Sequence, residues 1–369
     1  MTLGLSLLRA LKNHGAQEIF GIPGDFILPL FQQMEESKIL PLITLSHEPG
    51  LGFAADAAVR MHGGIGVAAV TYGAGALNMV NAVASAYAER SPLVIVAGCP
   101  GAVESHAGLL LHHQVRHVDS QWRIFQEITC DQVRLSDPAT APADIARVLR
   151  SCREFSQPVL IEVPRDITLA PMAEVPVLGD SPFSQDAVQE CAAEWLARIR
   201  AARQPVLVLD VEVRRFGIEA QVAELARRLQ LPVLTTFMGR GLLAGDELRR
   251  GVQLHGTYLG VAGDAQTTAL LDESDLPILL GAILSAWTVA RGNLWEIAAA
   301  FLVLGCGFGL CHSFVARRTI GGAPAALLLP VAGGVLAAVA ARRLARGMGG
   351  TSTAQEVAFW MVGLAGPVG

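Results

Sequence analysis

Residues 3–14 carry apolar side chains at helical spacing, "AQEIFGIPG" then reads as a short strand entering a Gly-Pro turn, and "DFILPLFQQMEE" resumes helical spacing. The alternation continues through the strand-like "LPLITLS", a helix after Glu48, the apolar "IGVAAVTY", a helix through "GALNMVNAVASAYAE" and the strand "SPLVIVAG". "QPVLIEVP" closes the series near residue 164. Strand and helix taken in turn predict a mostly parallel sheet covered on both faces, with ligands at the strand C-terminal ends. Residues 165–184 are rich in proline and turn formers, as a connection between domains is. A second α/β pattern follows: helix 187–202, strand "PVLVLDVEV", helix 217–230, strand "LPVLTTFM" and then "SDLPILLGA".

The pattern changes after about Ser285. From residue 290 onward Glu296 and Glu356 are the only acids, lysine is absent, and Ala, Gly and Leu dominate. The runs 297–316 and 321–341 each have the length of a membrane span, about 20 residues. His312, several glycines, Pro324 and Pro330 weaken that reading. A buried helix pair and a peptide read from a shifted frame are the alternatives, and the basic "ARRLARGMGG" fits either a membrane flank or GC-rich coding out of frame.

Composition narrows the classes. A length of 369 residues suffices for two domains, and a net charge of -5 with 28 basic residues offers no nucleic-acid patch. The partner expected is small or weakly charged. Six cysteines without paired spacing are read as reduced thiols of a cytoplasmic protein, and the opening segment as a folded helix in place of a signal peptide.

Several residues carry candidate chemistry. Glu48 stands at a strand-to-helix junction beside Pro49, Gly50 and Gly52. Asp25, in "GIPGDF", either caps the next helix or presents its carboxylate at the mouth of the first strand. In "TYGAGALNMVN", Gly73 and Gly75 either permit close packing or make room for a flat ligand. His112, Gln114, His113 and His117 follow an apolar stretch, and two neutral imidazoles near a carboxylate suit proton transfer. Adjacent histidines point apart in regular structure, which argues against a shared metal, and no metal ligand is assigned. Cys99 is read as core filling.

Taken together, "FGIPGDF", "LSHEPGLGFAADAAVR", "TYGAGALNMVNAVASAYAERSPLVIVAG", "GLLLHHQ" and "TTFMGRG" resemble the thiamine-diphosphate-dependent 2-keto acid decarboxylases, nearest the phenylpyruvate and indolepyruvate branch. The resemblance runs from residue 1 to about 285. It implies an α/β fold with a parallel-sheet pyrimidine-binding domain at 1–164, a linker at 165–184, a partial central α/β domain at 185–285 and an atypical apolar helical or disordered tail at 286–369. It implies that Glu48 contacts N1′ of the cofactor's aminopyrimidine, that Gly73 and Asn78 help bind the cofactor, and that Asp25, His112 and His113 surround the reacting carbon. Thiamine diphosphate and Mg2+ are the cofactors implied, a 2-keto acid is the substrate, and the family assembles as homodimers or homotetramers.

The sequence departs from that pattern in its last part. Relatives carry "GDG" and a later "NN" that hold Mg2+ and the diphosphate, and this chain has neither. A frameshift or truncation near residue 286 is the expectation, with the isolated chain inactive and its assembly in doubt. The alternative is a non-catalytic remnant or interaction protein that pairs with a complete homologue. A membrane anchor through 297–341 is a further reading, and a nicotinamide dehydrogenase is a weaker rival because its G-x-G-x-x-G fingerprint is missing.

Overall fold

A computed structural model describes residues 1–108, 110–182 and 184–281. The expected tail helices, frameshift and membrane segment lie outside those residues. Among the described residues no helix is long and apolar enough to cross a membrane.

The described residues divide into two compact units, one ending at Ser181 and the other beginning at Pro182. In the first, α1 (Leu3–Asn13), β1 (Ile19–Gly21), α2 (Leu28–Ser37), β2 (Leu42–Thr44), α3 (Glu48–His62) and β3 (Gly66–Val70) follow one another. Then come α4 (Ala74–Leu77), α5 (Val80–Ala88), β4 (Leu93–Cys99), α6 (Ala102–His106), α7 (Ser120–Phe125), β5 (Asp131–Arg134), α8 (Ala141–Phe155) and β6 (Val159–Pro164). The strands form one parallel sheet in the order β2-β1-β3-β4-β6-β5.

Strand periodicity explains the two cores. Successive side chains leave a strand on opposite faces, so Val67, Ala69, Val94 and Val96 join Leu7, Leu11, Ile145 and Leu149 on one side. Ala68, Val70, Ile95 and Ala97 join Leu51, Ala55, Val83 and Phe125 on the other. Every residue of β3 and β4 is therefore buried, as a parallel sheet covered on both faces requires. Local signals set the helix ends. Thr2 caps α1 by accepting from the Leu5 amide at 3.3 Å, and His47 caps α3 by accepting from the Gly50 amide at 3.3 Å. Residues 165–181 fold back on the chain's start, where the Leu3 amide donates to the Ala170 carbonyl at 2.9 Å.

The elements differ from the sequence pattern in three places. The expected helix through "GALNMVNAVASAYAE" is two helices, because at Met79 the amide bonds back three residues to Ala76 at 2.9 Å and tightens the turn. Asp25 does not cap α2: the N-cap is Ile27, without a side-chain bond. β5 and α8 lie between the predicted strands, and the apolar positions Ile145, Val148, Leu149 and Cys152 give α8 its buried face.

The second unit contains α9 (Gln185–Ala201), β7 (Pro205–Leu209), α10 (Glu212–Arg215), α11 (Glu219–Leu229), β8 (Pro232–Thr235), α12 (Asp246–Arg249), β9 (Gln253–Thr257), α13 (Ala265–Asp272) and β10 (Leu276–Leu280). Its parallel sheet runs β10-β7-β8-β9. The "DVEV" half of the predicted strand "PVLVLDVEV" leaves the sheet, since Glu212 opens α10.

Candidate functional site

The strand order of the first unit reverses between β1 and β3, which places a crevice at their carboxyl ends. The segments that leave β1, β2, β3 and β4 carry Asp25, Glu48, Thr71–Gly75 and His112–His113 respectively. The site residues read from the sequence therefore all leave the same edge of the sheet.

They form two groups. In the first, Glu48 opens α3, where a carboxylate complements the helix dipole. Its Oε2 accepts from Asn78 Nδ2 at 2.9 Å. Gly75 faces the carboxylate: a Cβ there would meet Thr71 Cγ2 at 2.7 Å and lie 3.7 Å from Glu48 Oε1. The Thr71 hydroxyl is buried nearby without a partner among the described residues.

In the second group, His112 Nε2 lies 2.5 Å from Asp25 Oδ2, and His113 Nε2 lies 4.0 Å from Asp25 Oδ1. The three donor atoms fall within 4.8 Å of one another. This corrects the expectation that neighbouring imidazoles point apart. His113 adopts a left-handed backbone, φ 65°, so the regular-structure argument does not apply to it. The Phe26 ring packs against His112 at 5.2 Å between centroids and against Tyr72 at 5.1 Å. Asp25 stands in the turn after β1 with its carboxylate against the two imidazoles.

Gly73 connects the groups. Its φ is +64°, and a Cβ would lie 1.9 Å from the His113 carbonyl oxygen, so only glycine lets the two loops meet. The Ala74 amide donates to that same carbonyl at 3.1 Å. Beneath them runs a buried chain that the sequence reading passed over. The Gly73 amide donates to Gln121 Oε1 at 2.7 Å, Gln121 Nε2 donates to Glu162 Oε1 at 2.8 Å, and Arg134 Nε donates to Glu162 Oε2 at 2.6 Å. Burial pushes the Glu162 carboxyl above its ordinary value, while Arg134 and Gln121 pull it the other way. A lone carboxylate inside the apolar "VLIEVP" was the available signal.

Cys99 is inert by position. Burial pushes its thiol well above the ordinary range, and the nearby Glu162 charge adds to that. In the second unit a cavity of about 490 Å3 is lined by Arg200, Arg203 and Gln230 among others. It sits at the amino ends of β7 and β8, opposite the edge where such sheets bind ligands.

Residues 1–127 match the thiamine pyrophosphate enzyme N-terminal TPP binding domain, and residues 192–301 match the thiamine pyrophosphate enzyme central domain. The chain is 60% identical over 288 residues to an indole-3-pyruvate decarboxylase of Azospirillum brasilense, covering 77% of this chain and 52% of that protein. A pyruvate decarboxylase of Aspergillus parasiticus is 33% identical over 291 residues, 76% of this chain and 48% of the relative. Pyruvate decarboxylase isozyme 1 of Saccharomyces cerevisiae is 28% identical over 292 residues, 77% and 51% respectively. The chain spans about half the length of the curated relatives it matches. With both of its α/β units matched in order and a relative at 60% identity, the chain belongs to the thiamine-diphosphate decarboxylase family.

Proposed function

We propose that the first unit forms the aminopyrimidine side of a thiamine-diphosphate site serving non-oxidative decarboxylation of a 2-keto acid, of the phenylpyruvate or indolepyruvate type, to an aldehyde and carbon dioxide. The observation that carries this reading is Glu48 at the crevice, steadied by Asn78 and faced by the backbone of Gly75. A flat ring fits such a place: the glycine keeps side-chain bulk away, and the unpaired Thr71 hydroxyl offers a further polar contact. The substrate type follows the printed name of the relative at 60% identity.

When bound, the cofactor supplies the nucleophilic carbon and the electron sink. Glu48 presents its free carboxylate oxygen to a ring nitrogen, where it can share a proton by hydrogen bonding. Asn78 fixes which oxygen faces the ring by occupying Oε2. Asp25 and the two imidazoles hold and move the proton that the product carbon takes up, an exchange that the 2.5 Å contact of Asp25 with His112 permits. Phe26 and Tyr72, both buried, pack behind the His112 ring and support it from the core side.

Mg2+ prefers a shell of oxygen ligands, and the three-residue grouping found among the described residues is rich in imidazole. It does not fit that ion.

Ligand-observed NMR of the full chain with thiamine diphosphate and Mg2+, beside Glu48→Gln, tests the reading. Binding that weakens about tenfold or more in the variant supports it, a loss of about 1.4 kcal/mol. Absence of binding, or binding indifferent to the change, overturns it.

A further inference from the structure

Asp25, His112 and His113 bring one carboxylate oxygen and two imidazole nitrogens within 4.8 Å of one another, on loops leaving two different strands. We propose that this trio is a binding site for a first-row divalent transition metal, of which Zn2+ is the representative case. The donor set selects the class. Imidazole nitrogen with carboxylate suits zinc, cobalt and nickel, whereas Mg2+ and Ca2+ ask for oxygen alone.

The dimensions are close to those a metal needs. A tetrahedral zinc with bonds of about 2.0–2.2 Å keeps its donors about 3.3–3.6 Å apart. The His112–Asp25 contact at 2.5 Å opens to reach that range, and the His113–Asp25 contact at 4.0 Å closes. Both are side-chain rotations at partly open positions, with side-chain exposures of 64%, 41% and 33% for His112, His113 and Asp25. The same openness leaves the fourth position to water, as in zinc sites with three protein ligands.

The backbone beneath is already arranged. The left-handed turn at His113 sends its ring toward Asp25, and the Ala74 amide holds that turn through the His113 carbonyl. Phe26 limits the rotation of the His112 ring from one side. The backbone turn is thus in place before binding, and what binding has to order is the rotation of the three side chains. The two histidines are adjacent in sequence, so without that turn they would not serve one ion.

A metal held there takes the same atoms that carry the proton in the reading above, so the two uses exclude each other; binding is tested without thiamine diphosphate, so its failure and that of the Glu48 reading are separate results. The full chain, free of any affinity tag, is titrated with ZnCl2 against a chromophoric chelator, and with CoCl2 while the visible ligand-field bands are followed. The expected result is one ion per chain with a dissociation constant of about 1 µM or tighter. Asp25→Asn, His112→Gln and His113→Gln, each checked for folding by circular dichroism, each weaken binding by at least about tenfold. His255→Gln, in the second unit, leaves it unchanged. The absence of stoichiometric binding overturns the proposal, as does an affinity or cobalt spectrum that survives all three substitutions.

Discussion

Gln121 and Glu162 meet inside the first unit at 2.8 Å, and through Gln121 the carboxylate on β6 is joined to the amide of Gly73. A charge within a parallel sheet is tolerated where its oxygens are satisfied, and here Arg134 takes the second oxygen at 2.6 Å. Fold and candidate site are coupled at that point. Gln121, which satisfies one oxygen of the buried carboxylate, is also the side chain that holds the loop bearing Thr71–Gly75.

Replacing Glu162 by Leu should therefore destabilise the chain by about 2–3 kcal/mol. Removal of one partner from a buried pair costs about 3–5 kcal/mol, and the discount reflects an Arg134 side chain that is 34% exposed and regains water. Urea unfolding measures it. An unchanged midpoint would mean that the pair contributes no net stability.

Gly73→Ala tests the junction between the two groups. A methyl at that position would stand 1.9 Å from the His113 carbonyl oxygen and on a backbone with φ +64°. The strain is of order 1–3 kcal/mol, and the loop of His113 must retreat to relieve it. The expected outcome is a lower unfolding midpoint together with shifted imidazole resonances of His112 and His113. A variant with wild-type resonances would show that the close approach is dispensable.

His14 should make the first unit sensitive to mild acid. The residue is 4% exposed and neither ring nitrogen has a partner among the described residues. Burial, and then the Arg153 charge, lower its pKa. The unfolded chain takes up this proton near pH 6.5, whereas the folded chain resists until lower pH. Unfolded molecules thus hold more protons in that window, and stability present above about pH 6.5 declines as pH falls toward the folded value. His14→Leu should flatten this part of the stability-pH curve relative to the parent, measured by thermal unfolding between about pH 5 and 7.5. Parallel curves would remove His14 as the cause.

Thiol reactivity should rank by burial. Cys130 is pushed up to about 12, chiefly by burial with Asp131 adding to it, and Cys152 is raised well above the ordinary range by burial. Cys191, partly exposed, is raised less. Peptide mapping after brief alkylation at neutral pH should find Cys191 modified before Cys99, Cys130 and Cys152. Prior labelling of Cys99 would contradict its placement.

The legible parts of the sequence were those governed by periodicity. Val67–Val70 and Leu93–Cys99 are apolar without interruption because both faces of their strands are covered, and such runs were read as strands. The short edge strand β5, "DQVR", has too few apolar positions to show a period. Within the site, "HEPG" pointed to Glu48 because a carboxylate at a strand-to-helix turn is conspicuous. The convergence of His112 and His113 was hidden, since it depends on one left-handed residue that no periodic pattern marks. Gln121 was hidden for a different reason: its role exists only once β6 has brought Glu162 beneath it.

The pairing of Asn78 with Glu48 yields the sharpest functional prediction. The Asn78 amide donates to one carboxylate oxygen at 2.9 Å, which leaves the other to meet a ligand. In Asn78→Ala the carboxylate loses that donor and turns freely. Since a hydrogen bond to a charged group contributes about 1.5–3 kcal/mol, and solvent recovers part of it at this exposed position, thiamine-diphosphate affinity should fall about fivefold to tenfold. Asn78→Asp should act more strongly, because two carboxylates in contact cannot both remain ionised at low cost. Titration of the three proteins by ligand-observed NMR distinguishes the cases. The order parent, Ala, Asp in falling affinity supports Asn78 as the residue that orients Glu48, whereas equal affinities would make the 2.9 Å contact incidental to binding.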